Sequence, residues 1–269
     1  MTRPAFTAQQ QLHCESAVFI SDLHLANDTP QLLAHLRRFL LSLNPATSQW
    51  LVVLGDLFEG YCGDDDTTDI NQTVAHCFAD LHTRGIQVAI VVGNRDFLIA
   101  DGFAKCANAI LLHDPCVLNN DVLLSHGDRW CTLDTAYQAW RTQCRSPAWQ
   151  AAFLAQPLVQ RQQQVQQYRA MSIQVQQQSN NGIDDVVQDL MLAEVQRYGC
   201  SAVLHGHTHR PEQIQLNITS DKTITAATAS AASPKTITKI VLGDWRIENG
   251  VPTMHYAQLE QGKIYFKQF

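Results

Sequence analysis

Apolar residues in this chain fall into two patterns: continuous runs of three to five, and longer stretches with helical spacing. The runs cover residues 17–20, 50–54, 88–92, 122–124 and 202–204, and each leads into Gly, Ser or His. Short runs of Val, Ile and Leu bounded in this way predict buried strands. Residues 31–43 place Leu32, Leu33, Leu36, Phe39, Leu40 and Leu43 on one helical face. Residues 69–84 predict a second packing helix with Gly85 placed to end it. Residues 183–198 repeat the pattern through Val186, Val187, Leu190, Met191 and Val195, and Gly199 can close it. Strand and helix alternate, which predicts an α/β fold.

Three segments break that rhythm. Residues 1–14 read as a polar extension before the first strand. Residues 131–180 are dense in Gln, read as helical, and are too long for a plain connection. They are expected to form a helical cap inserted into a core made of residues 1–130 and 181–269. Its apolar residues Trp149, Phe153, Leu154 and Leu158 suit either a ligand groove or ordinary packing. Residues 212–247 read as β, with Ile214, Leu216 and Ile218 alternating and 237–242 as the partner strand. Between them, residues 226–234 are small and predict a mobile hairpin tip.

The chemistry sits where the runs end. They lead into Asp22 and His24, Asp56, Asn94, His126, and the pair His205 and His207. Open α/β sheets bind ligands beyond the carboxyl ends of their strands. Imidazole, carboxylate and amide oxygen together suit Mn2+, Fe2+ or Zn2+ better than Mg2+ or Ca2+. Seven such residues exceed the coordination of one ion, so two divalent ions sharing a carboxylate are expected. Asp22 and His24, two residues apart, are expected to point the same way by strand period and hold one ion. Asp56 is the natural bridge. Asn94, His126 and His205 complete the second ion, and His207 returns to the first. Two such ions hydrolyse phosphate bonds by in-line attack.

Composition narrows the setting. The net charge of −6 argues against a nucleic-acid binder, which would present a basic face. The eight cysteines are scattered, with no Cys-x-x-Cys pair, and no secretory leader or membrane-spanning run is evident. A reducing cytosol is the expected setting, and no obligate protein partner is inferred.

Asp22-x-His24, Gly55-Asp56, Gly93-Asn94-Arg95-Asp96, His126 and His205-Gly-His207 resemble the signature of calcineurin-like metallophosphoesterases. A narrower likeness joins Phe58-Glu59, Gly63-Asp64-Asp65-Asp66, Phe97-Leu98, His126-Gly127-Asp128, Cys131-Thr132, Asp134, Tyr137-Gln138 and the run from His205 to Pro211. These resemble the UDP-2,3-diacylglucosamine pyrophosphatase family of lipid A synthesis. The likeness covers about residues 16–212 and returns at Val241-Leu242-Gly243-x-Trp245. It implies a four-layer αββα sandwich, two Mn2+ ions, and release of UMP and 2,3-diacylglucosamine 1-phosphate at the cytosolic face of the inner membrane. It also implies substrate contacts at Asn94, Arg95, His205, Asp134, Tyr137, Arg169 and Ser172. Gln176 and Ser179 depart from it, standing where the family usually has Asn and Lys.

Arg95 discriminates within the wider family, many members of which carry His at this position. Such a His protonates a poor alkoxide leaving group, whereas Arg holds its proton near neutrality. A guanidinium instead grips phosphate bidentately, which suits a phosphoanhydride whose leaving group needs charge neutralisation. Catalysis is therefore expected to fall to Asp56, Asn94 and Arg95. The rival readings are a metallophosphoesterase of soluble nucleotides or phosphomonoesters, and a non-catalytic scaffold on the same fold.

Overall fold

The computed structural model describes residues 7–178, 185–218 and 236–269. Its strands are β1 (Gln11–Leu12), β2 (Ala17–Ile20), β3 (Trp50–Leu54), β4 (Gln87–Val91), β5 (Ala109–Leu112), β6 (Cys116–Leu118), β7 (Val122–Ser125), β8 (Ala202–His205), β9 (Glu212–Asn217), β10 (Thr236–Val241), β11 (Arg246–Glu248), β12 (Val251–Thr253), β13 (His255–Glu260) and β14 (Lys263–Gln268). Its helices are α1 (Pro30–Ser42), α2 (Asp69–Thr83), α3 (Asp101–Cys106), α4 (Thr135–Cys144), α5 (Pro147–Leu154), α6 (Leu158–Gln178) and α7 (Gln188–Tyr198).

Two six-stranded sheets form, ordered β14-β13-β2-β3-β4-β5 and β1-β6-β7-β8-β10-β9. The five predicted runs are strands β2, β3, β4, β7 and β8, parallel to their neighbours within this set. Both faces of these strands are buried, which is why they read as unbroken apolar runs. In β3, Leu51 and Val53 pack with Leu36, Phe39, Val74 and Phe78 of α1 and α2. Val52 and Leu54 face the other way and meet Leu118, Leu124, Leu204 and Ile240 of the second sheet. The outer face of that sheet, through Val117, Leu123 and Val203, is covered by Met191, Val195 and Tyr198 of α7. The layers are thus helices, sheet, sheet and helix, the expected αββα sandwich.

Several local expectations shift. Gln11 and Leu12 pair in parallel with β6, so the expected polar extension includes a sheet edge. Helix α7 starts only at Gln188, and its buried face is Met191, Val195 and Tyr198, while Leu190 points to solvent. β9 pairs antiparallel with β10 as the alternation predicted. The expected hairpin tip at 226–234 lies outside the described residues. Residues 135–178 supply the helices α4, α5 and α6 between β7 and β8.

Candidate metal centre

Beyond β2, β3 and β8 the backbone turns sharply. Ten non-glycine residues among those described have left-handed φ, and five are Asp22, His24, Asp56, His207 and His209. Such conformations persist only where surrounding structure enforces them, and they concentrate at functional sites. Asp22 and His24 therefore converge through two strained turns rather than through strand period. The loops are stitched together: Asp22 N donates to Gly55 O and His24 N to Asp56 O, both at 3.0 Å, and Gly206 N donates to His126 O at 2.9 Å. Two glycines permit this closeness. A Cβ on Gly55 (φ +89°) would lie 2.5 Å from His126 Nδ1, and one on Gly206 would lie 2.3 Å from Asp22 Oδ2.

Two clusters result. In the first, Asp22, His24 and His209 bring their ligating atoms within 4.8 Å of one another. His24 Nε2 lies 3.1 Å from His209 Nε2, and Asp22 Oδ1 lies 3.4 Å from the latter. The opposite nitrogen of His24, Nδ1, lies 2.8 Å from Glu59 Oε2. In the second cluster Asp56, His126 and His207 converge in the same way. Asn94 Oδ1 joins them, 2.8 Å from His126 Nε2 and 2.9 Å from His207 Nδ1. His126 Nδ1 is fixed by Leu54 O at 2.9 Å. Asp56 faces both clusters, with Oδ1 3.6 Å from His126 Nε2 and Oδ2 3.9 Å from His24 Nε2.

His205 departs from expectation. It is the last residue of β8 and shares the face of Val203, which points toward α7. Its ring sits 5.6 Å from that of Trp130, and its Nδ1 lies 3.0 Å from Gly206 O. It enters neither cluster. His207 stands with the second cluster rather than the first, and His209, absent from the expected set, completes the first. Of the three histidines at two-residue spacing, only His207 and His209 lie in the loop after β8, and the spacing alone does not mark where that strand stops.

The charges in these clusters call for cations. Asp22 Oδ1 is buried without a hydrogen-bond partner. Burial pulls His126 down, but Asp56, Asp22 and Asp128 outweigh it and raise its pKa to about 9. Burial, then the charge of His126, lowers His207 to about 4. Asp96 is pushed up to about 6 by burial and by Asp56. Its two oxygens accept from Gly93 N and Leu57 N, each at 2.7 Å, bracing the loops that present Asn94 and Asp56. Imidazoles, carboxylates and one amide oxygen fit two divalent ions of the Mn2+, Fe2+ or Zn2+ type. Asp22, His24 and His209 would hold one, and Asn94, His126 and His207 the other. Asp56 would lie between them.

Beside the clusters lies a cavity of about 560 Å³, lined by Asn94, Arg95 and His207 and also by the packed rings of Trp140, Trp149, Phe153 and Tyr168. Asp134, Tyr137 and Arg169 also line it. Asp134 caps α4 by accepting from Tyr137 N at 2.9 Å. The Tyr137 ring stacks on His207 with centroids 6.0 Å apart, and its hydroxyl donates to buried Asp128 at 2.5 Å. Asp128 also receives Arg141 Nε at 2.8 Å and Arg145 at 3.3 Å, and Arg145 donates to Gly93 O at 2.9 Å. This knot ties α4 to the loop carrying Asn94. Arg169 pairs with Glu59 at 3.2 Å and with Asp28 at 3.3 Å. Ser172 and Gln176 lie farther along α6, and Ser179 is outside the described residues. Trp149 and Phe153 line the cavity, whereas Leu154 and Leu158 do not. The Asp64–Asp66 run is a fastening: Asp64 accepts from Gly102 N at 2.6 Å, Asp65 pairs with Arg161, and Asp66 accepts from Gln162 at 3.3 Å.

Residues 16–211 match the calcineurin-like phosphoesterase family. A UDP-2,3-diacylglucosamine hydrolase of Aromatoleum aromaticum is 43% identical over 200 residues, covering 73% of this chain and 81% of its own length. One of Xanthomonas campestris pv. campestris is 39% identical over 246 residues, covering 88% of this chain and 94% of its own. One of Aeromonas salmonicida is 40% identical over 235 residues, covering 86% of each. Likeness of this extent makes the chain a member of the calcineurin-like phosphoesterase family, and a hydrolase.

Proposed function

We propose that the chain hydrolyses the pyrophosphate bond of UDP-2,3-diacylglucosamine, releasing UMP and 2,3-diacylglucosamine 1-phosphate, with two divalent ions, Mn2+ foremost. The observation that carries this reading is one cavity lined both by residues of the candidate metal centre and by a group of packed aromatic rings. Asn94, Arg95 and His207 line it, together with aromatic rings from α4, α5 and α6. A phosphoanhydride joined to acyl chains matches that combination.

Bound at these clusters, the ions would supply an activated water and neutralise phosphoryl oxygens. The chain contributes orientation and charge. Asp56 faces both clusters and accepts from Arg95 N at 2.8 Å on Oδ1, which supports assigning Arg95 to the reacting phosphates. Its guanidinium stabilises charge on the departing phosphate without giving up a proton. Asn94 orients a neutral oxygen between His126 and His207. Asp134, Tyr137, Arg169 and Ser172 are assigned to the substrate from residues 131–180, acting as a cap over a core of 1–130 and 181–269.

A diacylated substrate resides in a bilayer, and no helix among the described residues is long and apolar enough to cross one. Leu133, Leu154, Val159 and Met171, all between β7 and β8, are exposed, and Met171 also lines the cavity. Peripheral docking on the cytosolic face of the inner membrane is part of the same proposal, supported by these exposed apolar residues. The test is purified protein with Mn2+ and UDP-2,3-diacylglucosamine, products identified by mass, beside the same nucleotide sugar without acyl chains. UMP and the acylated sugar phosphate are expected. Equal catalytic efficiency on the deacylated compound would overturn the lipid assignment.

A further inference from the structure

Glu59 is spent on two partners at once. Its Oε2 lies 2.8 Å from Nδ1 of His24, and its Oε1 lies 3.2 Å from Nε of Arg169 in α6. Its side chain is only 15% exposed, so neither contact is strongly screened. The imidazole of His24 thus stands between Glu59, at Nδ1, and Asp22 and His209, at Nε2, so the carboxylate can set how the ring is presented to the candidate metal site. Arg169 has a second carboxylate in Asp28, but that side chain is 64% exposed and holds it weakly.

Helix α6 also rests directly on the loop that carries Glu59. A Cβ on Gly60 would fall 2.4 Å from Val165 Cγ1. A second cavity, of about 420 Å³, lies on the far side of this contact. Glu59, Gly60, Val165 and Arg169 border both cavities and so form the wall between them. A movement of Arg169 therefore acts on the wall of the candidate active site and on the partner of a metal ligand together.

We propose that Glu59 is a positioning residue shared by the first metal site and helix α6, so that loading the ion at Asp22, His24 and His209 and seating α6 over the cavity are linked. The proposal rests on the two-ion reading given above. Linkage of this kind is reciprocal: what steadies α6 through Glu59 also favours the ion, and the ion steadies α6.

The test titrates metal-free protein with Mn2+ and follows amide exchange in residues 158–171. The parent should bind two equivalents, and Mn2+ should slow exchange in α6. Glu59→Ala should weaken one equivalent by about 10–100-fold, leave the other unchanged, and abolish the Mn2+ effect on α6. Glu59→Gln keeps an acceptor for His24 and should recover most of the metal affinity without restoring protection of α6. Arg169→Ala should speed exchange in α6 and, because the linkage is reciprocal, weaken the same single equivalent by less than Glu59→Ala does, leaving the other unchanged. Unchanged metal binding in Glu59→Ala would overturn the proposal. Equal loss at both sites with faster exchange throughout the chain would do the same, as it marks general loosening. A parent that binds fewer than two equivalents would overturn the two-ion reading, and this proposal with it.

Discussion

The Nε2 atoms of His24 and His209 face each other at 3.1 Å, and Asp22 Oδ1 lies 3.4 Å from the second. Two imidazoles can share a proton at that separation. The carboxylate oxygen beside them, however, is buried without a hydrogen-bond partner, and such an atom is costly unless a cation meets it. One divalent ion satisfies all three. His209→Ala is expected to reduce bound metal from two equivalents to one after dialysis. His205→Asn should keep both, because that side chain packs toward Trp130. Elemental analysis of the two variants reads the result. The reverse pattern would return the ligand role to His205.

Asp56 presents one oxygen toward each cluster, 3.6 Å from His126 and 3.9 Å from His24. Asp56→Ala should therefore abolish turnover and lower occupancy of both ions, unlike the single-ion loss expected for His209→Ala. Retention of more than a few per cent of parental turnover, or loss of one ion alone, would show that the carboxylate does not bridge.

The strands were legible in the sequence because parallel strands buried on both faces become unbroken apolar runs, as β3 shows with Leu51 and Val53 on one side and Val52 and Leu54 on the other. Asp22, His24, Asp56, Asn94, His126 and His207 were legible as the polar residues just past such runs. His209 was missed because a run of three histidines at two-residue spacing does not say where the strand stops. The strand ends at His205, and only the fold puts that residue on the α7 side. The partners of Asp65 and Glu59 were equally hidden, since Arg161 and Arg169 come from α6, about a hundred positions away in sequence. Long-range pairing leaves no periodic trace in the chain.

Metal uptake should depend on pH through His126. In the metal-free protein its pKa is raised to about 9, so near neutrality it carries a proton that must leave before Nε2 can ligate. Affinity at the second site should rise by up to about tenfold per pH unit below that value and level off above it. His207, lowered to about 4, is already neutral and adds no dependence in this range. The sign for stability is the opposite. A histidine raised above its ordinary 6.5 stabilises the metal-free fold fully below 6.5, and that contribution is lost as pH rises through about 9. The Tm gain on adding Mn2+ should therefore grow from pH 6.5 to 9. Calorimetry in buffers of different ionisation enthalpy should show proton release at pH 7. Binding with no proton released would exclude a protonated His126.

On the proposed reading, Arg95 decides which leaving group the site favours. It borders the cavity with Asn94 and His207, and its backbone N donates to Asp56 Oδ1, so its backbone is tied to the carboxylate that faces both clusters. Arg95→Ala keeps that backbone contact and should leave both ions bound. A lost charge-assisted contact to the transition state of about 3 kcal/mol corresponds to a fall of about a hundredfold in turnover of the UDP-lipid. Arg95→Lys should recover only part of it, because a point charge does not reproduce the guanidinium fork. Arg95→His restores an acid able to protonate an alkoxide. It should raise activity toward phosphodiesters with poor leaving groups while remaining below the parent on the anhydride. The decisive comparison is therefore the ratio of rates on UDP-lipid and on an alkyl phosphodiester across the four proteins. If Arg95→Ala matched the parent on the UDP-lipid, phosphate charge at this position would not limit the reaction. A general phosphoesterase of soluble substrates would then describe the site better.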